Sequence, residues 1–150
     1  MSYQKFRNLL TAKGLKVTPQ RINVLQSLEE LHHPSADEVL SQIRKLNPGV
    51  ATGTVYNILE QFTQAGLIEK VKTASDIMRY DFISEKHHHL YCTECDSIDD
   101  YFDPELDKLI EDYFINNPIE EFNISVVKLQ INGQFKIHSN KDNSLIIRKQ

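Results

Sequence analysis

The densest chemistry in this chain lies between residues 87 and 100: His87-His88-His89, then Cys92-x-x-Cys95, then Asp99-Asp100. In an extended strand alternate side chains share a face, so His87 and His89 project together and His88 points away. Two imidazoles on one face are ligand geometry. Imidazole nitrogens combined with carboxylate oxygens suit iron, manganese or zinc. The carboxylates that could complete such a set are Asp81, on an earlier strand, and Asp100, on the strand after the cysteines. The cysteine pair is ambiguous. A structural zinc site normally needs four ligands, and the chain has no second C-x-x-C; the nearest distal candidate is His138. Cys92 and Cys95 are either part of an unusual zinc site or two ordinary thiols at a strand end.

These residues need elements to hold them. Phe6, Leu9 and Leu10 space a short amphipathic helix over 3–13, ending before Gly14. Thr18-Pro19 reads as an N-cap with proline at the first helical position, opening a helix through Ile22, Val24, Leu25 and Leu28 that the turn at His32-His33-Pro34 ends. Ser35 and Glu38 make a capping box for a third helix with a buried stripe of Ala36, Val39, Leu40 and Ile43, stopping before Asn47-Pro48-Gly49. Thr52 is placed to cap a fourth helix carrying Val55, Ile58, Leu59 and Phe62 to Gly66. Two strand-like runs follow, Leu67–Lys72 and Met78–Ile83, around a turn at 73–76. The last three helices and this hairpin make a winged helix-turn-helix.

Ser84-Glu85-Lys86 would be a hinge. Beyond it the pattern predicts strands at His88–Cys92 and Ser97–Phe102, a helix over Pro104–Asn116 capped by Asp103, and a strand over Ile124–Ile131. Asn132-Gly133 predicts a hairpin into Gln134–His138. The tail from Ser139 is polar and then apolar at Leu145-Ile146-Ile147, a run with no evident place. The expected fold class is α+β: an N-terminal winged helix-turn-helix, residues 1–84, and a C-terminal α/β dimerisation and metal-binding domain, residues 85–150.

Composition limits the partners. The 150 residues carry a net charge of −4, which argues against nucleic-acid binding through bulk basicity. The charge is uneven: residues 1–84 hold 10 Lys and Arg against 8 Asp and Glu, and residues 85–150 hold 7 against 13. A nucleic-acid surface belongs in the first half; the acidic second half suits cations or a subunit partner. No window approaches the roughly 18 apolar residues of a membrane span, and the first residues do not resemble a leader. The expected location is the cytoplasm, with no membrane partner.

In a helix-turn-helix the second helix of the motif enters the major groove and presents its N-terminal residues to base edges. Here that helix opens at Thr52 and offers Thr54, Tyr56 and Asn57 while Val55, Ile58 and Leu59 pack inward. Asn can pair bidentately with adenine; Thr and Tyr can meet phosphate or a thymine methyl. Lys13, Lys16 and Arg21 could hold phosphates or reach a minor groove.

In order along residues 5–133, the pieces Gly14-Leu15-Lys16-Val17-Thr18-Pro19-Gln20-Arg21, His33-Pro34-Ser35-Ala36-Asp37-Glu38, Ala51-Thr52-Gly53-Thr54-Val55-Tyr56-Asn57, Arg79-Tyr80-Asp81-Phe82 and His87-x-His89-x-x-Cys92-x-x-Cys95 resemble the ferric uptake regulator family. The resemblance implies a homodimeric repressor that binds double-stranded DNA at an inverted-repeat operator and whose regulatory metal bridges two domains. Carried over, the ligands would be His33, Asp81, His87, His89 and Asp100, holding Fe2+ or Mn2+, with Zn2+ able to enter in vitro. Asp at 81 and 100, with Asn57, looks more like the peroxide-sensing branch than the iron-sensing one, where glutamates are usual at both ligand positions. In the peroxide branch iron-driven oxidation falls on a ligand histidine, here His33 or His87. The family's second C-x-x-C is missing at 132–135, so a structural four-cysteine zinc site is not expected. Nor is the further site that uses a histidine from a late strand.

Two other classes compete. A small metalloenzyme would hold the same metal with an open position, but no separate general base or phosphate loop accompanies the cluster. A constitutive DNA-binding protein would use the histidines structurally and bind DNA without metal.

Overall fold

The structure, a computed structural model of the chain, describes residues 2–82, 85–138 and 146–148. It is a mixed α+β protein that divides into two compact units, Met1–Ser84 and Glu85–Gln150.

The first unit holds α1 (Tyr3–Ala12), α2 (Pro19–Leu31), α3 (Ala36–Leu46), α4 (Thr52–Gln64), β1 (Ile68–Lys72) and β2 (Met78–Phe82). Side chains cap three of the helix starts. Ser2 and Thr18 each accept from a backbone N–H three residues on, and Ser35 and Glu38 close a reciprocal capping box. The fourth start differs from expectation. Ala51 is its N-cap and Thr52 is already helical; the Thr52 hydroxyl instead accepts from Arg44 Nη2 at 3.0 Å. Arg44 also donates to the Val50 carbonyl, so the guanidinium of α3 secures the α3–α4 turn. The apolar stripes converge on one core that includes Leu10, Val24, Leu25, Val39, Leu59 and Phe62. The wing β1–β2 pairs antiparallel, Ile68 opposite Phe82 and Lys72 opposite Met78. This is a winged helix-turn-helix.

The second unit holds β3 (His88–Cys92), β4 (Ile98–Phe102), α5 (Pro104–Asn116), β5 (Gln130–Gly133) and β6 (Ile146–Arg148) in one sheet of order β5-β3-β4-β6 beside the helix. Strands β3 and β4 are antiparallel, with His89 opposite Asp100. Asp103 caps α5 by accepting from Leu106 N, as the sequence predicts.

Two expectations fail here. The strand foreseen over 124–131 begins only at Gln130, and the Asn132-Gly133 hairpin does not form. Both residues are extended strand, paired in parallel with Tyr91 and Cys92. The Asn-Gly turn needs positive φ at both positions, and neither has it. The Gly133 carbonyl is instead taken by Thr93 N at 2.9 Å. A tertiary partner outcompetes the local turn. The apolar tail run supplies β6, which pairs in parallel with β4. Ile83, Ser84 and residues 139–145, on which parts of the predicted wing, hinge and tail fall, lie outside the described residues.

Candidate metal centre and nucleic-acid face

In the first unit the chain leaves α2 through His32 and His33, both at positive φ (50° and 48°), a conformation most side chains avoid. The segment is stitched to β2: Tyr80 N donates to the Pro34 carbonyl at 2.9 Å, and Arg79 Nη1 donates to the His33 carbonyl at 3.3 Å. That stitching turns the His33 ring inward, where Nε2 stands 3.4 Å from Asp81 Oδ2 with both side chains largely enclosed. Two of the five expected ligands therefore meet within this unit.

In the second unit the other three meet. The β3–β4 register sets His89 opposite Asp100, and His87 immediately precedes β3 on the same face. His87 Nδ1 lies 2.8 Å from the Glu85 carbonyl oxygen. A carbonyl only accepts, so in the neutral ring Nδ1 carries the proton and Nε2 keeps its lone pair, the tautomer a metal ligand needs. His87 Nε2, His89 Nε2 and Asp100 Oδ1 form a triangle with edges of 3.1, 3.3 and 3.6 Å. Donors about 2.1 Å from an ion stand about 3.0 Å apart at adjacent octahedral corners and about 3.4 Å apart at tetrahedral ones. The triangle has the dimensions of one face of a coordination shell, and its imidazole and carboxylate donors fit Fe2+ or Mn2+.

His88 does something else, which sequence alternation hinted at by turning it away. It is fully buried; its Nε2 lies 2.6 Å from Asp107 Oδ1 and its Nδ1 accepts from Leu129 N at 3.0 Å. The accepting Nδ1 fixes the proton on Nε2, which donates to the carboxylate. One ring thus bolts β3 to α5 and to the segment entering β5. Asp107 carries no sequence signal for this, because its spacing is that of any exposed helix residue.

Cys92 is buried at the end of β3 and Cys95 is partly exposed; both are free thiols. Burial would raise the Cys95 thiol, but hydrogen bonds from Ser97 and Cys92 outweigh it and hold the thiol below its ordinary range.

On the first unit Thr54, Tyr56 and Asn57 are exposed on the opening turns of α4, with Val55, Ile58 and Leu59 buried beneath. Lys16 is exposed. Arg21 is already engaged, donating to the Lys16 carbonyl at 2.7 Å and to Gln61 Oε1 at 2.8 Å, so it braces α2 against α4. The Tyr56 hydroxyl donates to Asp37 Oδ1 at 2.7 Å. That hydrogen bond is the main reason its phenol is raised above the usual range, so Tyr56 stays a protonated donor. The Asp37 contact has no sequence signature.

A winged helix-turn-helix followed by a histidine–carboxylate cluster defines a metal-binding winged-helix protein. The family model described as the ferric uptake regulator family matches residues 12–131, and the chain belongs to that family. The peroxide-responsive repressor PerR of Staphylococcus saprophyticus is 30% identical over 128 residues, 85% of this chain and 84% of that protein. The peroxide operon regulator of Bacillus subtilis is 30% identical over 135 residues, 89% of this chain and 91% of its own. Among solved structures, the ferric uptake regulator from Francisella tularensis with iron has a TM-score of 0.68 at 28% identity, covering 82% of this chain and 93% of that one.

Proposed function

We propose that this protein is a metal-dependent transcriptional repressor that binds an inverted-repeat operator as a homodimer and responds to peroxide through bound iron. The observation that carries the reading is the His87–His89–Asp100 triangle, a ready face for a hard-to-borderline divalent ion. The reading gives that ion two further ligands, His33 and Asp81, from the winged-helix unit, whose role would be DNA binding. One ion liganded from both units would set how the α4 faces of a dimer are presented to two half-sites. Iron or manganese would fill the site in the cell. Ferrous iron, when bound, supplies the redox chemistry that peroxide needs, and the aspartates at 81 and 100 favour the peroxide branch over the iron-sensing alternative. The similarity to peroxide-responsive relatives supports the same choice.

A dimer is supported by the second unit's exposed apolar residues, among them Leu109, Tyr113, Ile115 and Phe122. Among the described residues no helix is long and apolar enough to cross a membrane. The metalloenzyme alternative gains no support from the exposed recognition face of α4, which a metalloenzyme does not need.

His33→Ala, His89→Ala and Asp100→Ala should each abolish metal-activated DNA binding while circular dichroism stays that of the wild type. Unaltered metal stoichiometry in all three would remove the proposed ligand set. Brief hydrogen peroxide should release DNA from the iron-loaded protein and leave the manganese-loaded protein bound, with one oxygen added to a peptide containing His33 or His87. Recovery of binding with a thiol reductant would point to Cys92 and Cys95 instead.

A further inference from the structure

We propose that Cys92, Cys95 and His138 form a zinc site with three protein ligands and a fourth position open to solvent. Their ligand atoms all lie within 4.8 Å of one another. Donors about 2.0–2.3 Å from tetrahedral zinc stand about 3.3–3.8 Å apart, so closure takes side-chain adjustments on the order of 1 Å.

The backbone around the pair is built to bring the three together. Asp96 N donates to the Cys92 carbonyl at 2.9 Å and Cys92 N donates to the Ser97 carbonyl at 3.0 Å, which folds the C-x-x-C segment into the β3–β4 turn. Thr93, inside that segment, holds the Gly133 carbonyl twice, from its backbone N at 2.9 Å and its hydroxyl at 3.3 Å. The chain leading to His138 is therefore anchored on the cysteine turn itself. Glu94, also inside the segment, stands 3.3 Å from His138 Nε2 through its Oε2. That contact holds the His138 imidazole against the cysteine turn.

Donor chemistry selects the ion. Two thiolates and one imidazole are softer than the His87–His89–Asp100 set and favour tetrahedral zinc over manganese or ferrous iron. Cys92 is buried, while Cys95 is partly exposed and His138 exposed, so the unfilled corner faces water. The two donor sets share no residue, and the failure of either leaves the other standing.

The test uses the full chain purified anaerobically and loaded with Co2+ as a spectroscopic stand-in for zinc. The expected spectrum has a thiolate-to-cobalt charge-transfer band and tetrahedral visible bands, both retained in His89→Ala and lost in Cys92→Ser. His138→Ala should alter those bands, and zinc retained against a chelator should fall from about one per chain to near zero. A wild-type protein with no thiolate band overturns the site, as does a Cys92–Cys95 disulfide in place of metal. So does His138→Ala with unchanged spectrum and zinc content. If Cys92→Ser does not fold, His138→Ala decides alone, since it alters an exposed side chain outside any helix or strand.

Discussion

In the first unit Leu10, Val24, Leu25, Leu59 and Phe62 are all but sealed from water, whereas in the second unit α5 buries none of its 13 residues and three consecutive histidines are among the most enclosed side chains. The first unit is stabilised in the ordinary way, by apolar area removed from water. The second holds its sheet and helix together through polar bolts such as His88–Asp107 and leaves Leu109, Tyr113 and Ile115 exposed. The difference separates tasks. On the proposed function the winged helix presents α4 from a packed apolar core, while the imidazoles and carboxylates enclosed in the second unit would hold the metal ion and its exposed apolar residues would meet a second copy.

Truncating the first core should give the largest effect. Phe62→Ala should cost about 3–5 kcal/mol, read by urea denaturation of the full chain with signals from the winged-helix unit. A loss under about 1 kcal/mol would mean that unit does not rest on its core. Next in size, His88→Phe removes the bolt and leaves Asp107 and the Leu129 N–H without it. A cost of about 1–3 kcal/mol is expected in the transition of the second unit, with the winged-helix transition unmoved. The smallest stability effect belongs to Ile115→Lys, at a side chain 75% exposed. Unfolding of the single chain should change by no more than about 0.5 kcal/mol. Sedimentation should nonetheless show weaker dimers, and an unchanged dimer would show that this face is not covered by a second copy.

Legibility follows the same division. In the first unit caps, periodicity and punctuation agree with tertiary structure, so the sequence foretells every helix and the wing; only the Thr52 cap fails, because Arg44 claims its hydroxyl from another helix. In the second unit local signals compete with distant partners. Asn132-Gly133 loses its turn to Thr93, a residue 40 positions away. β6 is defined by its parallel pairing with β4, since three residues carry too little pattern to announce a strand. The triangle's members were legible because alternation along β3 and the types of the donors are local properties. The ring tautomers, the role of His88 and the engagement of Tyr56 by Asp37 depend on contacts that no spacing encodes.

On the proposed function a divalent ion switches a winged-helix dimer onto DNA. The most direct test is selection from a pool of random-sequence duplexes by the manganese-loaded protein, run beside the same protein held in excess chelator. One inverted repeat should be enriched with manganese and none with chelator. Equal enrichment in both arms, or a manganese-selected site without two-fold symmetry, would contradict it.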